Sequence, residues 1–267
     1  MNIKIKNLNL AKKTSIITGG CGHLGASIAE KLSSCGSNLI LIDLHEKNLN
    51  KIKKRLEKKY KIRIQIFALD LTDKKQRDAC IKNIKKNYKT VEIMVNSIGM
   101  VGTDNMKGWN ASFENQSYEA WQKAIETNLT SIFFLIQGLY RTMNKSKNSS
   151  IINISSIYGV NAPDWKLYED TDINNPAAYS ISKAGMIHMS KWLASTLAPN
   201  IRVNSVSPGG IIRQQKKLFI KKYKEKTLLN RMATEDDISE PVLFLASNMS
   251  SYITGQNIII DGGWTIK

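Results

Sequence analysis

The chain carries near its start the stretch Ser15-Ile16-Ile17-Thr18-Gly19-Gly20-Cys21-Gly22-His23-Leu24-Gly25, followed by a helix-like run over 26–34. A short apolar strand, a glycine-rich turn and a helix in this order are typical of a dinucleotide-binding fingerprint. Glycine lets the backbone turn tightly and approach a pyrophosphate, while the helix N-terminus attracts its negative charge. The pattern predicts the first βα unit of a parallel sheet, and its candidate cofactor-binding residues are Thr18, Gly19, Gly22, His23, Leu24 and Gly25.

A second apolar run, 38–43, ends in a carboxylate, Asp43. Asp43 lies 18 residues beyond Gly25, close to the ~20 expected for the acid that binds the adenosine ribose. An aspartate there accepts hydrogen bonds from both ribose hydroxyls and repels a 2′-phosphate, so the sequence favours NAD over NADP. The alternative is an aspartate that only caps the strand, and the neighbouring Lys47 is the residue most able to reverse the preference.

Apolar runs continue to alternate with helix-like segments along the rest of the chain. This alternation predicts an α/β protein with a doubly wound Rossmann fold, in which helices cover both faces of a central parallel sheet. We expect one domain over 1–267, with a loop over the site at 100–118 and a substrate lid around 211–230. The predicted strands are 62–69, 91–95, 150–154, 201–206 and 257–260, and the predicted helices are 45–60, 73–88, 119–142, 179–197 and 235–248 with Thr234 as its N-cap.

Tyr179 and Lys183 stand four residues apart at the head of an apolar helix-like run. This spacing is about one helical turn, so the phenol and the ammonium lie on one face. A free phenol has a pKa of roughly 10, and a nearby ammonium lowers it. The pair could therefore exchange a proton with an alcohol or a carbonyl as hydride moves. Taken alone, the spacing is weak, because a surface helix often carries a Tyr and a Lys.

Composition limits the function classes. The net charge is +17, but lysines spread over several predicted helices instead of forming one stripe, so we do not expect nucleic-acid binding. Apolar runs are too short for a membrane span, which needs about 18 residues, and the start of the chain lacks the apolar core of a signal peptide. Three cysteines without a CxxC pair predict a reduced, cytoplasmic protein with no structural metal.

Taken together, the motifs resemble those of the short-chain dehydrogenase/reductase superfamily, in order and over essentially the whole chain. They are the Thr18–Gly25 turn, Asp70-Leu71, Asn96-Ser97-Ile98-Gly99, Asn128, Ser156, Tyr179 with Lys183, Pro208-Gly209 and Asp261-Gly262-Gly263. Because these motifs occur together, Tyr179 and Lys183 are interpreted as catalytic residues and not as a chance pair on a surface helix.

The resemblance implies a role for each of four residues. Tyr179 would be the catalytic acid/base, and Lys183 would lower its pKa and hold the nicotinamide ribose. Ser156 would hydrogen-bond the substrate oxygen, and Asn128 would hold a water that links Lys183 to solvent.

The resemblance also distinguishes two adjacent serines and extends the cofactor site. Ser156 is preferred to Ser155 because the family's serine is followed by two residues and then a glycine, here Gly159. Asp70 and Leu71 would lie beside the adenine, Asn96 would support the central strands, and the backbone around Ile211 would meet the carboxamide. The remaining implied cofactor-binding residues are Ser97, Gly99, Pro208 and Gly209.

Three departures from the compact branch of the family concern the turn and the substrate side. His23 replaces the middle glycine, giving a spacing used by the extended, sugar-nucleotide-modifying branch, although the tail fits the compact branch. Arg213 stands where many members have a threonine. The 23 residues from Ser156 to Tyr179 exceed the usual number, and the added segment, 163–170, should border the substrate.

These departures are similar to a bacterial subgroup of flagellin-modification and nonulosonate-pathway oxidoreductases. The similarity implies an NAD-dependent dehydrogenase acting on a sugar or sugar phosphate for surface-glycan synthesis. Trp165 and Tyr168 could supply flat faces for a sugar ring, Glu169 could bind hydroxyls, and Arg213 could clamp an anionic group. Equally, Arg213 could pair with Glu169 or Asp170 and merely close the lid.

Two rival functions and the assembly state stay open at this point. An epimerase or dehydratase would keep NAD bound without net redox change, and a non-catalytic regulator would not need the full set of four catalytic residues. The family pairs the helices that carry Asn128 and Tyr179 between subunits, which implies a homotetramer, or else a dimer. The apolar residues expected on those helix surfaces are Ile132, Phe133, Leu135, Ile136, Met186, Ile187, Met189 and Trp192.

Overall fold

A computed structural model describes residues 8–101, 106–171 and 174–267. Within these residues the sheet has seven strands, all parallel, in the order β3-β2-β1-β4-β5-β6-β7. The strand order reverses between β1 and β4, which is where α/β sheets bind ligands beyond the carboxyl ends of their strands. The strands are β1 Thr14–Thr18, β2 Asn38–Asp43, β3 Ile64–Ala68, β4 Ile93–Asn96, β5 Ser149–Ile154, β6 Ile201–Pro208 and β7 Asn257–Ile260.

Helices cover both faces of this sheet. One face is buried by the first, second and last helices, and the other by helices from the middle of the chain. The helices are α1 His23–Ser34, α2 Glu46–Tyr60, α3 Lys74–Asn87, α4 Tyr118–Ile125, α5 Ser131–Asn144, α6 Ala177–Leu197, α7 Lys217–Lys226 and α8 Glu235–Ala246. The predicted doubly wound Rossmann fold is confirmed.

Alternation along the strands explains the two hydrophobic layers. Ile16 of β1 packs with α3, α5 and α6, whereas its neighbour Ile17 packs with α1, α2 and α8. Successive side chains of a strand point to opposite faces, so a strand that is covered on both faces can carry adjacent apolar residues. This is why apolar residues stand side by side in β1, β2, β4 and β5 instead of alternating strictly with polar ones.

Two helix predictions differ from the structure in detail. The predicted start at residue 26 is late, because α1 begins at His23, directly after the glycine turn. The predicted helix over 119–142 is interrupted by a π-helical turn, Glu126–Thr130, between α4 and α5. The N-cap prediction for α8 is confirmed, since Thr234 and Asp237 form a reciprocal capping box.

The segment after β4 is anchored to the protein, although residues 102–105 of the predicted loop lie outside the described residues. Trp109 is buried against Met100, Ala120 and Ala178, and its indole N–H donates to the carbonyl oxygen of Val101 at 2.8 Å. This part of the predicted loop is therefore held in place by a buried aromatic side chain.

Two lysines join the predicted lid to the added segment at 163–170. Within the lid, α7 carries Lys222, whose ammonium donates to the carbonyl oxygens of Lys166 at 3.2 Å and Glu169 at 2.7 Å. Lys226 forms an ion pair of 2.5 Å with Asp164. The lid and the added segment therefore meet along one border.

The predicted apolar surface of α5 and α6 is partly wrong. Four of its residues pack inside the protein, because the same faces cover the sheet: Ile132, Leu135, Ile136 and Met186. Trp192, in contrast, is half exposed, as is Phe134, and both lie near Phe133. The apolar surface is thus smaller than expected and centres on aromatic side chains.

Within the described ranges, none of the helices combines the length and the apolar character required to cross a bilayer.

Candidate active site

The glycine turn between β1 and α1 has the shape that a dinucleotide needs. Gly19 adopts a left-handed conformation, and a side chain on Gly25 would approach the Gly19 carbonyl oxygen to 2.0 Å. Gly22 caps α1 without a side-chain hydrogen bond, so the N–H groups at the start of α1 can face an anion. The residues present fit the pyrophosphate of a dinucleotide, and His23 and Leu24 contribute the first turn of that helix.

Asp43 is fixed at the end of β2 by two backbone groups. Its carboxylate accepts a hydrogen bond from the N–H of Cys21 at 3.0 Å and another from the N–H of Leu44 at 2.7 Å. The carboxylate therefore lies beside the glycine turn, where the sequence analysis expects the adenosine ribose.

Asp70 and Leu71 follow β3 and differ in exposure. The Asp70 carboxylate accepts from the amide and hydroxyl of Thr72 and from Lys123. Burial alone would raise the pKa of Asp70, but these hydrogen bonds hold it below its usual value. The Leu71 side chain is buried in the core, so only its backbone could meet an adenine.

The end of β4 is tied to both neighbouring strands. The Asn96 amide donates to the Asn153 side chain on β5 at 2.7 Å, and the Ser97 N–H donates to the carbonyl oxygen of Thr18. A side chain on Gly99 would come within 3.3 Å of the Lys183 ammonium. Gly99 therefore leaves room beside that ammonium.

The turn after β6 is closely packed. The Gly209 N–H donates to the Ile260 carbonyl oxygen at 2.8 Å, and the Gly210 N–H donates to the hydroxyl of Tyr223. Ile211 pairs with Ala233 in an isolated bridge. This packing fixes the Pro208–Ile211 backbone at the carboxyl end of the sheet.

Asn128 lies on the π-helical turn and is fully buried. Its side-chain oxygen accepts from the Met100 N–H at 2.6 Å, and its amide donates to the Ser182 hydroxyl at 3.0 Å. Single π turns are frequent at functional sites. Asn128 thereby connects the segment after β4 to α6.

The two adjacent serines after β5 have different partners. The Ser155 hydroxyl donates to the Lys183 carbonyl oxygen at 2.7 Å, whereas Ser156 hydrogen-bonds the Tyr179 hydroxyl. A side chain on Gly159 would collide with the Lys183 backbone at 2.7 Å. This close packing explains the Ser-x-x-Gly spacing, because a glycine there lets the serine turn approach α6.

Tyr179 and Lys183 lie on one face of α6, as their spacing predicts. The Lys183 ammonium is 5.8 Å from the centroid of the Tyr179 ring and donates to the Ile154 carbonyl oxygen at 2.9 Å. Burial lowers the pKa of Lys183 to about 8. Burial also raises the pKa of Tyr179, and the hydrogen bond from Ser156 only partly opposes this. The net lowering of the Tyr179 pKa expected from Lys183 is therefore not found in the protein without a bound cofactor.

This arrangement agrees with comparisons with known proteins. A family model described as enoyl-(acyl carrier protein) reductase matches residues 22–265. The post-translational flagellin modification protein A of Campylobacter coli is 32% identical over 257 residues, covering 96% of this chain and 99% of that protein. The 3-oxoacyl-acyl-carrier-protein reductase FabG of Aquifex aeolicus is 31% identical over 261 residues, covering 96% of this chain and 98% of that protein.

A solved structure gives the same result. The crystal structure of a short chain dehydrogenase from Leptospira borgpetersenii with bound NAD+ superposes with a TM-score of 0.84 and 33% sequence identity. The superposition covers 100% of this chain and 98% of the Leptospira chain. The chain belongs to the short-chain dehydrogenase/reductase family. The resemblance indicated by the motifs is confirmed.

The substrate side of this short-chain dehydrogenase/reductase contains aromatic residues that the sequence analysis missed. Tyr158, Tyr223 and Trp264 are in ring contact with one another or with the added segment. Tyr158 is two residues beyond Ser156, and that short distance is the only sequence signal that could have identified it. Tyr223 and Trp264 are distant in sequence, and only the fold brings them here.

The four predicted substrate residues do not all face the same space. Tyr168 is partly buried and packs within the aromatic cluster, in ring contact with Tyr158 and Phe219. Trp165 is half exposed and lines a cleft of about 720 Å³ beside Tyr158. Glu169 is exposed and bonds Lys222 through its backbone.

Arg213 has a different partner from the two that were considered. Its guanidinium pairs with Glu235 at 3.3 Å, at the start of α8, instead of with Glu169 or Asp170. Arg213 has this partner because Ile211 is held against Ala233, which places the following residues next to α8.

Proposed function

We propose that this protein is an NAD-dependent dehydrogenase/reductase that interconverts a hydroxyl and a carbonyl group on a sugar or sugar phosphate. The observation that carries the proposal is the convergence of Ser156, Tyr179 and Lys183 at the carboxyl end of the sheet, beside a glycine turn that fits a dinucleotide. The solved structure with bound NAD+ supports the cofactor, and the relative named for flagellin modification supports a role in that modification.

The four residues then have distinct roles in the reaction. Ser156 orients the substrate oxygen, and Tyr179 gives it a proton in the reducing direction or takes its proton in the oxidising direction. Nicotinamide, when bound, supplies or accepts the hydride. Lys183, which is mostly protonated at pH 7 given a pKa of about 8, favours the phenolate during proton removal. Asn128 positions α6 and the segment after β4 around them.

The pKa of Tyr179 bears on the direction of the reaction. Because burial raises that pKa, the phenol stays protonated at neutral pH in the protein alone. A protonated phenol is ready to act as the acid, which favours carbonyl reduction when no additional positive charge is present. Oxidation requires the phenolate and should therefore be faster at higher pH.

The cofactor residues are proposed as a continuous path over the end of the sheet. Asp43 binds the adenosine ribose, the α1 N-terminus binds the pyrophosphate, and the backbone around Ile211 binds the carboxamide. We also propose that residues 1–267 form a single domain with the lid at 211–230, and that the protein acts in the cytoplasm as a homotetramer.

The test follows absorbance of NADH while purified protein is incubated with NAD and a panel of sugars, sugar phosphates and nucleotide sugars. We expect net formation of NADH with at least one compound and loss of that activity in Tyr179→Phe. Turnover of a nucleotide sugar without net NADH would instead support an epimerase or dehydratase. NAD binding without any turnover would support a regulator.

A further inference from the structure

Two phenol groups on the substrate side share a hydrogen bond. The Tyr168 hydroxyl donates to the Tyr158 hydroxyl at 2.5 Å. Tyr158 lies two residues after Ser156, and its backbone N–H donates to the Ser156 hydroxyl oxygen at 3.2 Å. The pair is therefore attached directly to the serine that bonds Tyr179.

The same hydrogen-bond chain continues to the helix that carries Tyr179. The Asn175 side chain hydrogen-bonds the Tyr168 hydroxyl, and the Ser180 hydroxyl donates to the Asn175 carbonyl oxygen at 3.0 Å. The hydrogen bond with Asn175 lowers the pKa of Tyr168 against the effect of burial, as an amide N–H that donates to the phenolic oxygen does. Asn175 therefore donates to Tyr168, and Tyr168 donates to Tyr158.

With the donors in this direction, the O–H of Tyr158 has no acceptor among these three side chains. A tyrosine hydroxyl has one O–H to donate, and the O–H of Tyr158 is not used when its oxygen accepts from Tyr168. Hydrogen bonds in a chain polarise one another and strengthen the last donor. The O–H of Tyr158 is therefore available to donate a hydrogen bond to a ligand.

Packing holds this donor in a fixed position. The rings of Tyr158, Trp264, Tyr223, Phe219 and Tyr168 contact one another in a closed circuit, with centroids 5.9 to 6.5 Å apart. Burial raises the pKa of Tyr158 and that of Tyr168, so both hydroxyls stay neutral. An uncharged hydroxyl that is held in one position is suited to donate a hydrogen bond to an uncharged oxygen of a ligand.

Tyr158 also borders open space. It lines the cleft of about 720 Å³, together with the apolar side chains of Val160, Trp165 and Phe113. Tyr158 therefore adjoins both Ser156, through its backbone N–H, and this cleft, whose lining does not include Ser156, Tyr179 or Lys183.

We propose that Tyr158 is a specificity-determining residue that donates a hydrogen bond to a second hydroxyl of the substrate, away from the reacting oxygen. This inference rests on the proposed function. It assigns the substrate to compounds with at least two hydroxyl groups, or a hydroxyl and a carbonyl. Tyr168 and Asn175 act through Tyr158 as positioning residues.

The energetic reason is the cost of an unpaired buried group. A ligand without the second hydroxyl would cover Tyr158 and leave its O–H unsatisfied. Sites that are built to bond a hydroxyl reject analogues lacking it much more strongly than apolar pockets reject an added group. A simple alcohol or an acyl chain should therefore be a poor substrate.

The test compares two probes of similar shape, trans-1,2-cyclohexanediol and cyclohexanol, in NAD-linked oxidation by the full chain. Tyr158→Phe and Tyr168→Phe keep the ring packing and remove one hydroxyl each, and Tyr252→Phe, at a fully exposed tyrosine, is the matched control. We expect the wild type and the control to prefer the diol. Tyr158→Phe should lower kcat/KM for the diol about 10-fold or more and leave kcat/KM for cyclohexanol equal or higher, because no buried O–H is then left unpaired. Tyr168→Phe should have smaller effects in the same directions.

The outcomes separate this inference from the proposed function. If wild type oxidises both probes equally, or if Tyr158→Phe lowers both activities equally, the oxidoreductase proposal stands and the role of Tyr158 is wrong. If neither probe is oxidised, the shift in Tm caused by each probe in the presence of NAD is compared instead. A shift specific to the diol that Tyr158→Phe loses supports the inference, and the absence of such a shift overturns it.

Discussion

The Ser155 hydroxyl donates a hydrogen bond of 2.7 Å to the backbone carbonyl oxygen of Lys183. It ties the end of β5 to α6, whereas the next residue, Ser156, bonds the Tyr179 hydroxyl. Successive side chains of an extended chain point to opposite sides, so only one of two adjacent serines can face the substrate. We therefore assign a structural role to Ser155 and a catalytic role to Ser156.

Exchange of each serine for alanine should separate these functions. Ser155→Ala should lower the free energy of unfolding by about 1–3 kcal/mol, because it removes a buried hydrogen bond, with a small change in kcat. Ser156→Ala should lower kcat/KM by about 100-fold, as the loss of one donor to a reacting oxygen does. Urea unfolding and steady-state kinetics check both. Equal losses of activity in the two variants would contradict the assignment.

The buried ammonium of Lys183 should lower the free energy of unfolding, although the reaction requires it. Its pKa of about 8, compared with 10.5 in water, corresponds to roughly 3 kcal/mol of unfavourable burial of the charged form. Lys183→Met removes that cost and loses the hydrogen bond to Ile154, worth about 1 kcal/mol. We expect the variant to be inactive but about 2 kcal/mol more stable than wild type at pH 7.

The pH dependence gives this prediction a control. Between pH 8 and 10.5 the unfolded state binds the proton of Lys183 and the folded state does not, so the stability of the wild type rises with pH through this window. The advantage of Lys183→Met should therefore be complete below pH 8 and shrink as the pH approaches 10.5. An advantage that is constant over this range would show that the ammonium is not the cause.

The sequence predicts the sheet and the catalytic face of α6 well, because both depend on local spacing. Adjacent apolar residues indicate strands that are covered on both faces, and the spacing of four positions from Tyr179 to Lys183 indicates about one helical turn. The partner of Arg213 depends instead on how two distant segments meet, and one sequence does not contain that information. Likewise, the sequence shows that residue Tyr168 is aromatic, but it does not show that this side chain packs against Tyr158.

Asp43 should determine the choice of cofactor. Two backbone N–H groups fix its carboxylate beside the glycine turn, where it would repel a 2′-phosphate. We expect kcat/KM for NADH to exceed that for NADPH at least ~10-fold, and Asp43→Ser to reduce this ratio. Glu46→Gln, at an exposed carboxylate three residues on, is the control and should leave the ratio unchanged. Equal use of the two cofactors by wild type would refute the role of Asp43.

Arg213 tests whether the substrate carries an anionic group. Its pair with Glu235 is half exposed, and such pairs contribute little to stability, so a substrate phosphate could displace the carboxylate. Arg213→Lys keeps the charge and loses the fork. We expect it to raise KM for a sugar phosphate more than KM for the neutral sugar, with unchanged affinity for NAD. Arg231→Lys is the matched control, because Arg231 forms a similar pair with Asp237 on the same helix.

Assembly should depend on the exposed aromatic side chains of α5 and α6. Trp192 is 53% exposed, and Phe134 is 43% exposed, an unusual amount of aromatic surface for two neighbouring helices. If these helices pair between subunits, light scattering at micromolar concentration will show a tetramer, or else a dimer. Trp192→Glu places a charge in that interface and should shift the distribution to smaller species. Tyr252→Glu, at a fully exposed aromatic residue elsewhere, should not, and a wild-type protein that is only monomeric would exclude the assembly.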